Sequence, residues 1–146
     1  MFIGEGPGAE EDAQGEPFVG RAGRLLTKMI NTLGIERQDV YITNIVKCRP
    51  PKNRNPTPAE ISCCMPALRQ QIELINPKLI VTLGNVPSKT LIPELPGITK
   101  AHGRIMRYEN WTTLPTFHPS YLLRNRSAMP QAWDDFKKIP ELAFQQ

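Results

Sequence analysis

The sequence predicts a three-layer α/β/α fold, with helices on both faces of a central, mostly parallel four-stranded sheet. Three observations predict it. In the first, β-branched, apolar runs typical of strands alternate with segments of helical periodicity. In the second, the 146 residues fit one domain. A third is that glycine, asparagine and histidine residues stand at or just past strand ends, where such sheets bind ligands. We expect strands at 1–3, 41–46, 78–84 and 111–117.

The first predicted strand, at 1–3, is shorter than the usual 5–6 residues. We therefore expect that residues preceding it are missing, and that 1–146 is a single domain truncated at its N-terminus.

A loop rich in glycine and proline follows this strand, and its composition predicts irregular backbone to about Gly20. Such composition indicates tight turns that let main-chain N–H groups approach a ligand. The loop carries Phe18, expected to be exposed, and the carboxylates Glu10, Glu11 and Asp12. One alternative is an ordinary connecting loop. The other, a dinucleotide fingerprint, is weak, because no helix is predicted to start at once and the next strand ends without an acid.

Helices are predicted from periodicity, caps and breakers. Apolar residues at helical spacing predict a helix over 21–33, ended by Gly34. Thr57 and Glu60 form a capping box for a second helix that ends before Pro77. The remaining predicted elements are a short helix that is capped by Asn85 and ends at Ile92, an extended segment over 104–108, a turn at 109–110 and a turn or helix over 120–123. A last helix is predicted over 128–144, with Trp133 and Phe136 facing inward.

Charge and hydropathy limit the class of protein. Lys and Arg exceed Asp and Glu by 18 to 14. Much of the excess falls in three groups after predicted strand ends, which suggests a cleft that meets a polyanion; the alternative is scattered, solvated charge. No run approaches a membrane span and no secretory signal is visible, so we expect a cytoplasmic protein and a monomer. The basic groups are Arg21, Arg24 and Lys28; Lys47, Arg49, Lys52 and Arg54; and Arg124 and Arg126.

Four positions lie at or just past predicted strand ends: Gly4, Asn44, Gly84 and His118. Asn44 would be costly if buried without a partner. It therefore caps a turn locally or awaits a ligand with one donor and one acceptor, as on the N3–H and O4 edge of uracil. His118 is either a structural hydrogen-bonding residue or a functional one.

Three motifs resemble those of the family-4 uracil-DNA glycosylases, in the right order and over almost the whole chain. The first is GEGPG at 4–8, followed by Glu11, Asp12, Gly15 and PFVGRAG at 17–23. The second is NIVKCRPP at 44–51, followed by Asn53, Arg54, Pro56 and Glu60. The third is HPSYLLR at 118–124.

The resemblance implies a DNA-repair enzyme that removes flipped-out uracil from DNA and leaves an abasic site, with uracil-containing DNA as its partner. Phe18 would stack on uracil, Asn44 would read its N3–H and O4 edge, and Glu11 would exclude the 5-methyl group of thymine. His118 would have a catalytic role, donating a hydrogen bond to uracil O2, and Glu5 and Gly6 would hold the attacking water. Leu122, helped by Tyr121, would intercalate into the DNA.

The resemblance also implies a [4Fe–4S] cluster held by four cysteines. Cys48 and Cys64 match two of the ligand positions, and the N-terminal Cys-x-x-Cys pair is missing, so we expect the cluster to be absent or incomplete in this chain. The alternatives are cysteines that only pack in a helix, and a zinc site at Cys48, Cys63, Cys64 and His102, whose spacing matches no known motif.

Two other functions remain open from the sequence. One is a non-catalytic nucleic-acid-binding module on the same fold, which predicts salt-dependent DNA affinity that does not depend on His118. The other is a nucleotide-binding α/β domain, in which phosphate compounds would protect the first loop.

Overall fold

A five-stranded sheet forms the centre of the computed structural model, which describes residues 1–144 apart from the side chain of Asn53. Its strand order is β2-β1-β3-β5-β4, and all neighbours are parallel except the edge pair β4 and β5. The mostly parallel α/β sheet is thus confirmed, and the segment predicted only as extended adds a fifth strand. The strands are β1 (Phe2–Gly4), β2 (Ile42–Asn44), β3 (Ile80–Leu83), β4 (Met106–Tyr108) and β5 (Trp111–Thr116).

Helices cover both faces of the sheet. They are α1 (Ala9–Gln14), α2 (Arg21–Thr32), α3 (Pro58–Ile75), α4 (Asn85–Leu91), α5 (Ile98–Ala101), α6 (Pro119–Arg124), α7 (Met129–Phe136) and α8 (Ile139–Phe144), with 3₁₀ turns at Arg37–Asp39, Pro51–Asn53 and Arg126–Ala128. Among residues 1–144, no helix is long and apolar enough to cross a membrane.

Two buried clusters lie on opposite faces of the sheet because neighbouring strand residues point to opposite sides. Phe2 and Val81 pack in one cluster with Leu26 of α2 and Phe136 of α7. Their neighbours Ile3 and Ile80 pack in the other cluster, with Leu68 and Ile72 of α3. The three predicted layers follow from this alternation.

The helix α1 lies where the sequence predicts irregular backbone. The carboxylate of Glu11 accepts the N–H of Gly8, the residue that caps the helix. Three acidic residues in its first turn complement the positive end of the helix dipole. The prediction of irregular structure to Gly20 was therefore wrong for residues 9–14.

The last predicted helix, over 128–144, is two helices, α7 and α8, preceded by a 3₁₀ turn. Pro140 explains the break, because it has no N–H to donate to the carbonyl of Phe136 and its ring would crowd that carbonyl. Phe136 is buried, as predicted, and Trp133 packs partly buried against the same cluster.

Two smaller differences concern the strand ends. Pairing beyond β2 continues as single bonds, from Ile45 N–H to Gly4 O (2.9 Å) and from Val46 N–H to Glu5 O (3.0 Å). The cap of α4 is Gly84, with a φ of 97°. The side chain of Asn85 accepts the N–H of Ile98 instead, at 2.8 Å.

Candidate active site

A cleft of about 570 Å³ opens at the carboxyl ends of β1, β2, β3 and β5. We call it the strand-end cleft. It receives most of the site residues predicted from the sequence, although they are far apart in the chain. Those that line it are Glu5, Gly6, Glu11, Phe18, Asn44, His118 and Tyr121.

Phe18 forms part of the wall of this cleft and is 6% exposed, so the expectation of an exposed aromatic was wrong. Its backbone has a φ of 53°, which is unusual for a residue with a side chain. Its ring centroid lies 5.5 Å from that of His118. A ring in this position presents an apolar surface to a ligand while packing in the core.

Asn44, the last residue of β2, is 6% exposed and lines the same cleft. Its Oδ1 has no hydrogen-bond partner among the described residues. A methyl group on Gly4 would lie 2.6 Å from this oxygen and 2.5 Å from Cζ of Phe18. Gly4 therefore leaves the space in which the amide and the ring meet.

Lys47 holds the main chain of Asn44. Its Nζ donates to Asn44 O at 2.8 Å, to Thr43 Oγ1 at 2.7 Å and to Gln71 Oε1 at 2.7 Å. Burial lowers the pKa of Lys47 to about 8. The sequence groups Lys47 with residues that meet a polyanion, whereas the structure shows its ammonium bound internally.

His118 caps the N-terminus of α6, and its Nδ1 accepts the N–H of Ser120 at 3.0 Å. A ring nitrogen that accepts a hydrogen bond carries no proton, so the proton of the neutral imidazole is on Nε2. Burial, and then the cation of Arg124, lower the pKa of His118 to about 4. The imidazole is therefore neutral near pH 7 and has one N–H to donate.

Glu11 braces the loop between β1 and α2. Its carboxylate accepts N–H bonds from Gly8 (3.1 Å), Val19 (2.8 Å) and Gly20 (2.7 Å). Burial by itself would raise the pKa of Glu11, but these backbone bonds outweigh it, and the pKa lies below its usual value. Glu11, which is predicted to exclude the 5-methyl group of thymine, therefore ties Val19, the residue after Phe18, to α1.

Glu5 and Gly6 lie on the β1 side of the cleft. Burial raises the pKa of the Glu5 carboxyl. A methyl group on Gly6 would come within 2.6 Å of Cγ2 of Val46. Glycine at this position therefore leaves room for the side chain of Val46, which follows β2.

Leu122, predicted to enter the DNA base stack, is 1% exposed and packs in the core. It cannot reach a base without leaving that core, because α6 turns this position toward the sheet. Tyr121 is 39% exposed, lines the cleft and stacks on Phe117 at 5.3 Å between ring centroids. The DNA-intercalating role of Leu122, helped by Tyr121, stays a prediction, and of the two side chains it is Tyr121 that is exposed.

The cysteines lie outside the strand-end cleft. Cys48 and Cys63 are exposed, and Cys64 is half-buried with its Sγ 3.5 Å from the main-chain N–H of Lys47. Within residues 1–144, no three His, Cys, Asp or Glu side chains are grouped so that they could hold a metal ion. The zinc site considered from the sequence, with His102, is thereby contradicted: His102 pairs with Asp135 at 2.9 Å instead.

No role is predicted from the sequence for Ser120 or Arg37, and the predicted role of Lys47 differs from the one seen here. Ser120 sets the tautomer of His118, and Arg37 binds the carbonyl of Phe18. Neither has a local pattern that reveals its role, because both act through main-chain groups. Of the three basic groups, Arg54 and Arg124 are the described members that line the cleft.

Comparison with known proteins agrees with this geometry. Residues 1–137 match the model of the uracil DNA glycosylase superfamily. A type-4 uracil-DNA glycosylase of Thermotoga maritima is 54% identical over 87% of this chain and 67% of its own length. Two further type-4 uracil-DNA glycosylases are similar: that of Sulfurisphaera tokodaii (47% identical, 99% of this chain, 70% of its own) and that of Archaeoglobus fulgidus (42% identical, 97% of this chain, 75% of its own).

The fold is that of an α/β enzyme of the uracil DNA glycosylase superfamily, to which this chain belongs. Within that superfamily, its relatives place it among the type-4 uracil-DNA glycosylases.

Proposed function

We propose that this protein hydrolyses the N-glycosidic bond of uracil in DNA and leaves an abasic site. Three type-4 uracil-DNA glycosylases resemble it over most of its length. A base inside a duplex is out of reach of a pocket, so the nucleotide must first be flipped out, at a cost of a few kcal/mol. Excision of uracil is the first step of base-excision repair.

One observation carries the proposal: Asn44 lines the cleft, and its side-chain oxygen is buried without a partner among the described residues. Such an atom costs free energy unless a ligand completes it. Uracil would do so, with its N3–H donating to Oδ1 and its O4 accepting from Nδ2. Cytosine presents the opposite pattern on this edge and would leave both groups mismatched.

Phe18 and His118 supply the other two contacts in this proposal. The ring of Phe18 stacks on the flipped base, and Nε2–H of His118 donates to uracil O2. As the glycosidic bond breaks, the base leaves as an anion and the sugar becomes cationic. A fixed donor at O2 stabilises charge that develops only then, a contribution of about 10²–10³ in rate.

The attacking water is held on the sugar side by Glu5 and Gly6. No strong base stands at Gly6 itself, so we infer that the bond breaks largely before water attacks. On this view, the enzyme accelerates bond cleavage mainly by positioning and electrostatics.

Selectivity against thymine is assigned to Glu11, which would occupy the space of a 5-methyl group. Its carboxylate is already fixed by three backbone N–H groups. It therefore cannot swing aside without breaking them. Tyr121, exposed at the mouth of the cleft, is the residue that we assign to the gap left in the DNA stack.

Cys48 and Cys64 are proposed as two thiolate ligands of the [4Fe–4S] cluster that the family resemblance implies. A cluster of this kind needs four thiolates, and the chain has three cysteines, one of them exposed on α3 at Cys63. The residues described here do not fit the whole group, and no step of the proposed reaction passes through it.

The test is excision from a labelled oligonucleotide that contains one uracil, with alkali used to cleave abasic sites. We expect cleavage by the wild-type chain, a loss of about 10²–10³ in the single-turnover rate for His118→Ala, and little change for His102→Gln, a histidine outside the cleft. An intact oligonucleotide at stoichiometric wild-type protein, with salt-dependent binding retained, would instead indicate a non-catalytic DNA-binding module.

A further inference from the structure

The backbone of Phe18 is held in a conformation that it would not adopt by itself. Its φ of 53° lies in the left-handed region, which costs a non-glycine residue about 1–2 kcal/mol. Other parts of the chain must therefore hold it there. The contacts around its carbonyl group show which residues do so.

Arg37, in the 3₁₀ turn before β2, binds this carbonyl from outside the cleft. Its Nη1 donates to Phe18 O at 2.7 Å and to Thr27 Oγ1 at 2.9 Å. Its other terminal nitrogen, Nη2, donates to Pro17 O. One guanidinium thus bridges two consecutive carbonyls of the loop and a side chain of α2.

The same carbonyl group also packs against α2. A methyl group on Gly23 would lie 2.0 Å from both the carbonyl carbon and the carbonyl oxygen of Phe18. The Phe18 carbonyl is therefore packed against the helix and bonded to the Arg37 fork, while Glu11 holds the following N–H groups.

We propose that Arg37 is a positioning residue that sets the plane of the Phe18 ring for the base, without itself touching substrate. The inference rests on the proposed function, in which Phe18 stacks on uracil. The planar fork of arginine is what the geometry uses, because its two terminal nitrogens, held at a fixed spacing, reach Phe18 O and Pro17 O separately, whereas lysine ends in one nitrogen.

The first test compares Arg37→Lys and Arg37→Met with the wild type, using kcat/KM and inhibition by free uracil. A misplaced ring weakens stacking, so we expect kcat/KM to fall about tenfold or more and the inhibition constant for uracil to rise in both variants. Gln38→Met is the matched control, since Gln38 is exposed in the same turn and bonds to Glu36. Unchanged uracil inhibition in both Arg37 variants would overturn the proposal.

A double-mutant cycle with Phe18→Leu separates this role from others. If Arg37 acts through the ring, Arg37→Met costs much less in a chain that already carries Phe18→Leu. Additive losses would contradict the proposal. If Arg37 contacted a DNA phosphate directly, Arg37→Met would reduce the salt dependence of DNA binding by about one charge. That result would also overturn the proposal.

Hydrogen exchange of the amides over 16–20 gives a readout that needs no activity. We expect the amides of Val19 and Gly20 to exchange faster in Arg37→Met than in the wild type. The rates in Arg37→Lys should be intermediate, because the lysine ammonium can keep one of the hydrogen bonds to the loop. Wild-type protein that leaves uracil in DNA would refute the proposed function, and the exchange rates would then still decide whether Arg37 fixes this loop. Exchange equal to wild type in both variants would refute the inference.

Discussion

The main-chain N–H of Ser120 points at Nδ1 of His118 from 3.0 Å. Ser120 Oγ lies 2.8 Å from the same nitrogen. An imidazole held in this way cannot take a proton on Nδ1 without losing the backbone bond. The first turn of α6 thereby keeps the ring neutral and leaves its proton on Nε2.

His118 should make the protein less stable in mild acid. Its pKa is about 4 in the folded chain, below the usual value of 6.5. Between these values the unfolded chain binds the proton and the folded chain does not, so the free energy of unfolding rises with pH across this window. The stability contributed by the neutral imidazole is lost as the pH falls from 6.5 to 4. The contribution is about 3 kcal/mol.

Urea unfolding of the wild type and of His118→Gln between pH 4 and 7 measures this effect. Other groups titrate in both proteins, so the difference between the two slopes is the relevant quantity. Equal slopes would show that His118 has an ordinary pKa in the folded state.

Asn44→Asp should abolish most excision of uracil. A carboxylate has no donor for O4, and we expect a loss of about 10²-fold or more, as for other sites that lose a specific hydrogen bond. When protonated, the new carboxyl group can donate to cytosine N3 and accept from its amino group, so some excision of cytosine is expected. Paired assays on uracil and cytosine oligonucleotides measure both effects.

Asn31→Asp is the control for that variant, since it makes the same change on an exposed position of α2. Full uracil activity in Asn44→Asp would remove Asn44 from the site.

Tyr121 and Leu122 should respond in opposite ways to truncation. Tyr121→Ala leaves the core intact, so we expect lower excision from double-stranded than from single-stranded DNA, with a small change in Tm. Leu122→Ala opens a core cavity and should lower the free energy of unfolding by about 2–5 kcal/mol. Thermal unfolding and assays on both substrates distinguish them, and a stable Leu122→Ala protein impaired only on duplexes would assign the wedge to Leu122.

Gly23→Ala should destabilise the protein and lower its activity. The added carbon would meet the backbone of Phe18 at 2.0 Å, where no side chain can give way. We expect a loss of about 1–3 kcal/mol or more. In Gly97→Ala, the nearest atom is Asn85 Oδ1 at 4.0 Å, so a change within about 0.5 kcal/mol is expected there. Similar unfolding curves for the two variants would mean that α2 and the loop move apart readily.

The strand-end positions were predictable because parallel strands bring their carboxyl ends to one edge. This rule placed Gly4, Asn44, Gly84 and His118 together from apolar runs alone; Asn44, Gly84 and His118 line the cleft, and Gly4 lies against Asn44. The capping box at Thr57 and Glu60 was equally local, and both of its bonds form.

What could not be predicted depends on the direction of side chains within short elements. Leu122 and Tyr121 are neighbours in a six-residue helix, and periodicity over so short a stretch does not say which one faces the core. Phe18 was expected to be exposed in its loop rich in glycine and proline, yet it is buried, with a backbone φ of 53°. The role of Arg37 depends on carbonyl groups, which any residue type provides.

The order β2-β1-β3-β5-β4 also has a consequence for how activity arises during folding. The groups that would contact one base come from strands and loops separated by nearly the full length of the chain, so a partly paired sheet has no complete pocket. Since distant pairings form slowly, regain of catalysis in a refolding experiment should coincide with completion of the whole topology. Enzyme turnover would then report on folding more strictly than helix content does.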